Sequence, residues 1–72
     1  MKKINKIKIK LNGKFVNIKD KISLFGLMKK LKVPLKKVAI ELNQTIVNKR
    51  QLSKIKLKKN DKIEIVHFIG GG

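Results

Sequence analysis

Apolar and basic residues alternate near the start of the chain. Over residues 7–11 lysine occupies every second position, the period of a β-strand, so one face of that strand is apolar: Ile7, Ile9 and Leu11. Asn12-Gly13 follows, a dipeptide that accepts the positive φ angles of a type I′ turn. The alternation resumes at Val16 and Ile18. These residues predict an opening β-hairpin.

The period then changes to that of a helix. Leucine and methionine recur at i, i+3, i+4 and i+7, which gives one apolar stripe: Leu24, Leu27, Met28 and Leu31. Ser23 precedes the stripe, and its hydroxyl suits the N-cap because it can accept a hydrogen bond from a free backbone N–H. Val33-Pro34 is expected to end the helix, since proline disfavours the helical conformation of the residue before it. The stripe predicts a helix packed on a sheet.

Alternation returns in the second half of the chain. Apolar residues at every second position predict a strand over residues 38–42, and Asn43-Gln44 predicts a turn into a short strand at residues 45–47. Residues 51–55 suit one helical turn, with Leu52 and Ile55 directed inward.

The last strand is predicted over residues 62–69. It follows a turn in which Asn60 is the residue best able to adopt a left-handed conformation. Within the strand, Ile63 and Ile65 share one face, and two further residues share the other: Val66 and Phe68.

A hairpin, one long helix and three further strands indicate the α+β class, with a mixed sheet of four to five strands and the helix on one face. A right-handed crossover through that helix places the first and last strands side by side at the centre. This is the β-grasp, or ubiquitin-like, arrangement. We expect one domain over residues 1–69 and a flexible glycine tail over residues 70–72.

Composition excludes several kinds of site. The chain has 72 residues and no cysteine, so it is expected to be a single small domain without disulfides or thiolate metal ligands, in an intracellular compartment. Lysine interrupts residues 1–10 every few positions, so no signal peptide is expected, and no segment approaches the roughly 20 apolar residues of a membrane span.

The net charge of +16 favours a nucleic-acid partner or an anionic membrane at first sight. Nineteen of the twenty basic residues are lysine, however, and only Arg50 can bind phosphates or bases in bidentate fashion. Aromatic rings that could stack on bases are also scarce, since the chain has only Phe15, Phe25 and Phe68. We therefore expect no nucleic-acid partner and no membrane partner, and we leave open whether the lysines steer docking onto an acidic protein.

A catalytic set is not evident. Four acidic residues are expected in turns or on exposed strand faces, with no pair placed for acid–base work: Asp20, Glu41, Asp61 and Glu64. His67 is the sole histidine and has no partners at metal-ligand spacing, so no metal site is expected. The chain is predicted not to be an enzyme.

The three C-terminal glycines, Gly70, Gly71 and Gly72, follow the last predicted strand directly. A segment without side chains can enter a channel too narrow for any other residue. It would present the terminal carboxylate to the active site of another protein.

Three segments of the chain resemble the ThiS family of thiamine-biosynthesis sulfur carriers. They are residues 38–43, residues 45–47 and residues 60–72. The most specific is the run from residue 63 to residue 72, in which a strand, the Val-His-Phe-Ile segment and the terminal glycines follow in order. Two residues depart from the family pattern: Asn60 stands where glycine is common, and Asn48 stands where proline is common.

The resemblance implies that a ThiF-like adenylyltransferase activates the Gly72 carboxylate with ATP and magnesium. A persulfide sulfur, supplied by a sulfurtransferase or a cysteine desulfurase, then converts it into a thiocarboxylate. A ThiG-like thiazole synthase takes the sulfur. The carrier would need no cofactor of its own and would act as a monomer in the cytoplasm or in the stroma of an organelle of bacterial descent.

The resemblance also implies roles for residues near the tail. Gly70 and Gly71 would form the slender lead to Gly72. Three apolar residues would form a docking patch for the partner: Val66, Phe68 and Ile69. Ordinary coverage of the sheet is an equally good interpretation of Val66 and Phe68.

Three alternatives remain open from the sequence. A molybdopterin-type sulfur carrier shares the fold and the glycine terminus. A β-grasp RNA-binding module would use the lysines in place of the tail. A pure scaffold or a ubiquitin-like modifier is the third, and a modifier would become attached to target lysines.

Overall fold

The computed structural model describes residues 5–68, and they form a five-stranded mixed sheet with one α-helix packed across it. The elements in chain order are β1 (Lys6–Leu11), β2 (Lys14–Lys19), α1 (Leu24–Lys30), a 3₁₀ turn (Leu35–Lys37), β3 (Val38–Leu42), β4 (Thr45–Ile46), a 3₁₀ helix (Lys49–Lys54) and β5 (Lys62–His67).

The strand order is β2-β1-β5-β3-β4. The first and last strands are neighbours and run parallel, while the other pairs are antiparallel. The predicted α+β β-grasp topology is confirmed, with the full five strands.

The opening hairpin forms as predicted. Asn12 and Gly13 both have positive φ, 48° and 82°, as a type I′ turn requires. Ile9 lies opposite Val16 in the register that follows from this two-residue turn. The apolar faces of both strands therefore lie on the same side of the sheet.

Helix α1 begins as predicted. The Ser23 hydroxyl accepts a hydrogen bond from the Gly26 N–H at 2.9 Å. The first three residues of the apolar stripe are buried: Leu24, Leu27 and Met28.

The predicted helix end and the burial of Leu31 were wrong. Leu31 is the C-cap and is 43% exposed. The next residue, Lys32, has a φ of 58°, and its N–H donates to the Lys29 carbonyl, while the Val33 N–H donates to the Met28 carbonyl. These two hydrogen bonds form a Schellman motif, which closes the helix before Val33-Pro34 is reached.

The core lies between α1 and one face of the sheet. It contains ten buried apolar side chains: Ile9, Ile18, Leu24, Leu27, Met28, Val38, Ile40, Leu52, Leu57 and Ile63. The other face of the sheet, called the open face below, is not covered by α1.

The second half differs from the predictions only at element ends. Strand β4 ends at Ile46, one residue earlier than predicted. The predicted helical turn is a 3₁₀ helix that begins at Lys49. Asn48 caps it, because its side-chain oxygen accepts a hydrogen bond from the Arg50 N–H. Leu52 is buried, as predicted, and Ile55 is half-buried. Asn60 has a φ of 72°, which confirms its left-handed conformation.

The last strand was predicted to extend to residue 69. Strand β5 ends at His67.

None of the helices within residues 5–68 is long and apolar enough to cross a membrane.

Candidate functional site

The C-terminal strand is held in the middle of the sheet. Five consecutive residue pairs join β5 to β3, from Leu42↔Ile63 to Val38↔His67. The next residue, Phe68, still donates its N–H to the Lys37 carbonyl at 2.9 Å. The backbone position of the chain is therefore fixed up to the last residue that the structure describes.

Of the predicted site residues, Val66 and Phe68 are described, and both are exposed, at 52% and 46%. Val66 lies opposite Ala39, whose small side chain leaves it accessible. The Phe68 ring lies 5.5 Å from the ammonium nitrogen of Lys49. We call Val66 and Phe68 the apolar patch. The remaining predicted site residues lie outside the described residues, and their roles stay predictions: Ile69, Gly70, Gly71 and Gly72.

Val66 belongs to the open face of the sheet. Successive side chains on a strand point to opposite sides, and Ile63 is buried against the core, so Glu64 and Val66 point away from it. Residues directly opposite each other on neighbouring strands share a side of the sheet. Glu41 therefore joins Glu64 on the open face.

The same register places Ile46 on the open face, opposite Glu41. Ile46 is 71% exposed. Ile46 was not predicted from the sequence to be exposed on this face. It could have been, because it lies across the Asn43-Gln44 turn from Glu41, which was predicted to point outward.

Asn12 attaches the hairpin turn to β5. Its side-chain oxygen accepts a hydrogen bond from the Ile65 N–H at 2.7 Å, and its own N–H donates to the Ile63 carbonyl at 2.9 Å. Strand β1 ends at Leu11, so these two bonds continue the pairing of β5 beyond the last residue of its parallel neighbour.

Asn43 attaches the β3–β4 turn to the other edge of β5. Its side-chain oxygen accepts from the Lys62 N–H at 2.9 Å, and its N–H donates to the Lys62 carbonyl at 2.8 Å. Its amide nitrogen donates to a carboxylate oxygen of Asp61 at 3.1 Å, while the other Asp61 oxygen accepts from the Lys58 N–H at 2.8 Å. Asparagine tolerates the left-handed conformation, so Asn12 and Asn43 can each turn the chain and also form a hydrogen bond to β5.

The acidic residues are partly placed as predicted. Asp61 is in the last turn but buried, and its two oxygens accept hydrogen bonds from the Asn43 amide and the Lys58 N–H. Glu41 and Glu64 lie directly opposite each other on β3 and β5, a pairing that the sequence did not predict. His67 is exposed at the end of β5. Within residues 5–68 no group of three histidine or acidic residues is arranged to hold a metal ion.

The arrangement suits recognition and delivery. A strand that is fixed on both edges leads towards the C-terminus, and the side chains beside its end are apolar and exposed. Such a surface can be covered by a second protein, which then receives the chain end at a defined place.

Comparison with known proteins gives the family. Residues 4–72 match the model of the ThiS family. The chain is 38% identical over 65 residues to the sulfur carrier protein ThiS of Bacillus subtilis. This match covers 89% of the present chain and 98% of the Bacillus protein. It is also 41% identical over 66 residues to a protein named thiazole synthase from Magnetococcus marinus, 92% of this chain but only 20% of that protein.

The fold has a counterpart among solved structures. The crystal structure of the thiamine biosynthesis protein ThiS from Geobacter metallireducens superimposes with a TM-score of 0.81 at 26% identity, and the match covers 92% of this chain and all of that one. The sequence and structural matches agree along nearly the whole length. The chain therefore belongs to the ThiS family.

Proposed function

We propose that this chain is a sulfur carrier for the biosynthesis of the thiamine thiazole, with the Gly72 carboxyl group as the site that receives and delivers the sulfur. The fixed end of β5 and its exposed apolar patch support this proposal most directly, because Val66 lies only six residues before Gly72. Membership of the ThiS family supports the pathway.

The first chemical step is activation. A carboxylate is a poor electrophile because its negative charge is shared by both oxygens. A ThiF-like adenylyltransferase would transfer AMP from ATP to the Gly72 carboxylate with release of pyrophosphate, which supplies a good leaving group. ATP and magnesium are held by that partner.

The second step is sulfur transfer. The terminal sulfur of a persulfide on a sulfurtransferase or cysteine desulfurase attacks the Gly72 acyl carbon, and AMP leaves. Attack by a thiol on the resulting S–S bond then releases the thiocarboxylate on Gly72 and leaves a disulfide behind. The chain supplies the acceptor carbon and its position, while the catalytic groups belong to the partners.

The last step is delivery to a ThiG-like thiazole synthase. The likeness to a protein named thiazole synthase, in which the matching segment is about a fifth of the whole, supports this partner. A ThiS-like segment and the rest of that protein share one chain, as expected for components that work on the same product.

The apolar patch has a defined role in this cycle. Covering Val66 and Phe68 removes exposed apolar side chains from water, and these residues lie next to the segment that must enter the partner. Ile69 would extend the patch. Gly70 and Gly71 would pass through a channel that excludes side chains. We expect the carrier to act as a monomer in the cytoplasm or in the stroma of an organelle of bacterial descent.

The test is a loading assay with a cognate adenylyltransferase, ATP, magnesium and a persulfide donor, followed by intact mass measurement. The wild-type chain is expected to gain the mass difference between sulfur and oxygen. Gly72→Ala and a variant with one residue added after Gly72 are expected to remain unloaded, because the acyl carbon is blocked or displaced. Both should keep the wild-type amide spectrum for residues 5–68.

Normal loading of the extended variant would contradict the proposal. Delivery separates the pathways: the loaded chain should transfer sulfur to a thiazole synthase and not to the large subunit of a molybdopterin synthase. The reverse result would assign the chain to the molybdopterin route.

A further inference from the structure

A second surface lies on the open face at the start of β5, away from the apolar patch. It is a half-open pocket of about 170 Å³, which we call the basic pocket. Its lining residues are Lys8, Ile9, Lys10, Phe15, Asn60 and Lys62.

The strand register places the three lysines of this pocket at neighbouring positions of the sheet. Lys10 and Lys62 are direct partners in the β1–β5 register, and Lys8 lies on the same side of β1 as Lys10. Like charges directly opposite each other destabilise a sheet. The pocket lining contains no carboxylate, and the neighbouring Asp61 is buried with both oxygens already engaged.

The ring of Phe15 adds an apolar surface among these charges. Phe15 is 68% exposed, and the ammonium nitrogens of Lys8 and Lys10 lie 5.6 and 5.3 Å from its centroid. A cation–π contact gains strength when it is desolvated. A ligand that covers the ring would therefore strengthen contacts that are already formed, and its own negative charges would relieve the repulsion among the lysines.

We propose that the basic pocket binds a carboxylate-rich segment of a partner protein, with one apolar side chain of that segment packed on Phe15. Charge complementarity identifies the occupant. This site is separate from the apolar patch, because Lys62 begins β5 and Val66 lies four residues further along. The proposal does not depend on the sulfur-carrier function.

Several features favour an acidic protein segment over single-stranded RNA. RNA sites combine a basic groove that follows the phosphate backbone with successive aromatic platforms, whereas this pocket has a single ring. Its three charged residues are all lysine, which binds a carboxylate as a point charge, while the arginine fork suits phosphates and bases. Arg50 lies in the 3₁₀ helix Lys49–Lys54, outside the pocket lining.

The experiment is an NMR titration of the ¹⁵N-labelled full chain with the synthetic peptide acetyl-Glu-Glu-Leu-Glu-Glu-amide at low ionic strength. Shift changes are expected to concentrate on the pocket residues. The variant with Lys8, Lys10 and Lys62 each changed to Gln should bind the peptide about tenfold more weakly. Its fold should survive, because the substitutions remove repulsion, and circular dichroism checks this.

A matched variant controls for net charge. Changing Lys29, Lys30 and Lys36 to Gln removes the same charge from α1 and the Leu35–Lys37 turn, and binding should stay within about twofold of wild type. Phe15→Ser should weaken binding of this peptide but not of acetyl-Glu-Glu-Gly-Glu-Glu-amide, which has no side chain for the ring.

Equal weakening by the two triple variants would overturn the proposal, because net charge alone would then explain binding. Shift changes spread over all lysines would do the same. A dodecauridylate that binds more tightly than the peptide through Phe15 would assign the pocket to RNA and would also overturn it. None of these outcomes depends on loading of Gly72.

Discussion

The two ends of the open sheet face differ in chemistry although they lie on the same strand. Strand β5 begins at Lys62 in the basic pocket and passes Val66 in the apolar patch. At about 3.3 Å per residue these positions are roughly 13 Å apart. Glu64 lies between them, opposite Glu41.

One small sheet can therefore carry two recognition surfaces that act through different forces. Binding at the apolar patch is favoured because apolar side chains are removed from water, and salt barely reduces this contribution. The basic pocket acts through charges, which are screened over about 8 Å at physiological ionic strength. Ionic strength therefore separates the two surfaces experimentally.

The largest expected effect is at the apolar end. Val66→Asp would place an unpaired carboxylate in the docking surface, and we expect the kcat/KM of adenylation to fall at least about thirtyfold, equivalent to about 2 kcal/mol. Val66→Thr keeps the branched shape and should give a smaller loss. The measurement is pyrophosphate release with a cognate adenylyltransferase at low and high salt.

A control for this variant lies on the helix. Phe25 is an exposed apolar residue of α1, paired with the ammonium group of Lys29 at 5.8 Å from its ring centroid. Phe25→Asp introduces the same charge away from the sheet and should change kcat/KM by less than about twofold. A loss equal to that of Val66→Asp would mean that added charge alone impairs docking, against the role of the apolar patch.

An intermediate effect is expected where Asn12 holds β5 between the two ends. Asn12→Gly removes the acceptor of the Ile65 N–H but tolerates the positive φ, so the free energy of unfolding should fall by about 1 kcal/mol. Hydrogen exchange of the Ile65 amide should accelerate. Asn12→Asp keeps an acceptor oxygen and serves as the control in urea denaturation.

Asn12→Gly should affect the two ends of β5 differently. Peptide binding at the basic pocket should be unchanged, because the lost bond lies on the Val66 side of Glu64. Unaltered exchange at Ile65 would show that this hydrogen bond does not hold the strand.

The smallest effect is expected at the basic end. Lys62→Gln removes a charge directly opposite Lys10, and the free energy of unfolding should rise by about 0.3 kcal/mol at low salt. Lys36→Gln removes an equivalent charge from the Leu35–Lys37 turn, so the difference between the variants measures the local repulsion. Identical stabilities in thermal denaturation would remove the argument that the pocket lysines oppose one another.

Residues that act on their near neighbours made much of the fold predictable. Asn12-Gly13 dictates its turn through φ preferences, and Ser23 caps its helix through a bond three residues on. The early end of α1 was not predictable in the same way, because Lys32 adopts a left-handed conformation where glycine is usual.

The candidate site was predicted less completely. Strand alternation predicted that Val66 and Phe68 share a face, and the glycine tail is evident in the sequence, but the structure was needed to show that both side chains are exposed. The opposition of Glu41 to Glu64 and the placing of Lys8, Lys10 and Lys62 in one pocket with Phe15 required the strand register. Register joins residues that are up to about fifty positions apart, and alternation within one strand carries no information about it.

The period of each element, the position of its turns and the three terminal glycines are evident from the amino-acid sequence, because they depend on neighbouring residues. The folded chain was needed to show that Asn12 and Asn43 hold β5 from both edges, and that the basic pocket and the apolar patch share one sheet face. The physical reason is that strand pairing converts separations along the chain into contacts of a few ångströms.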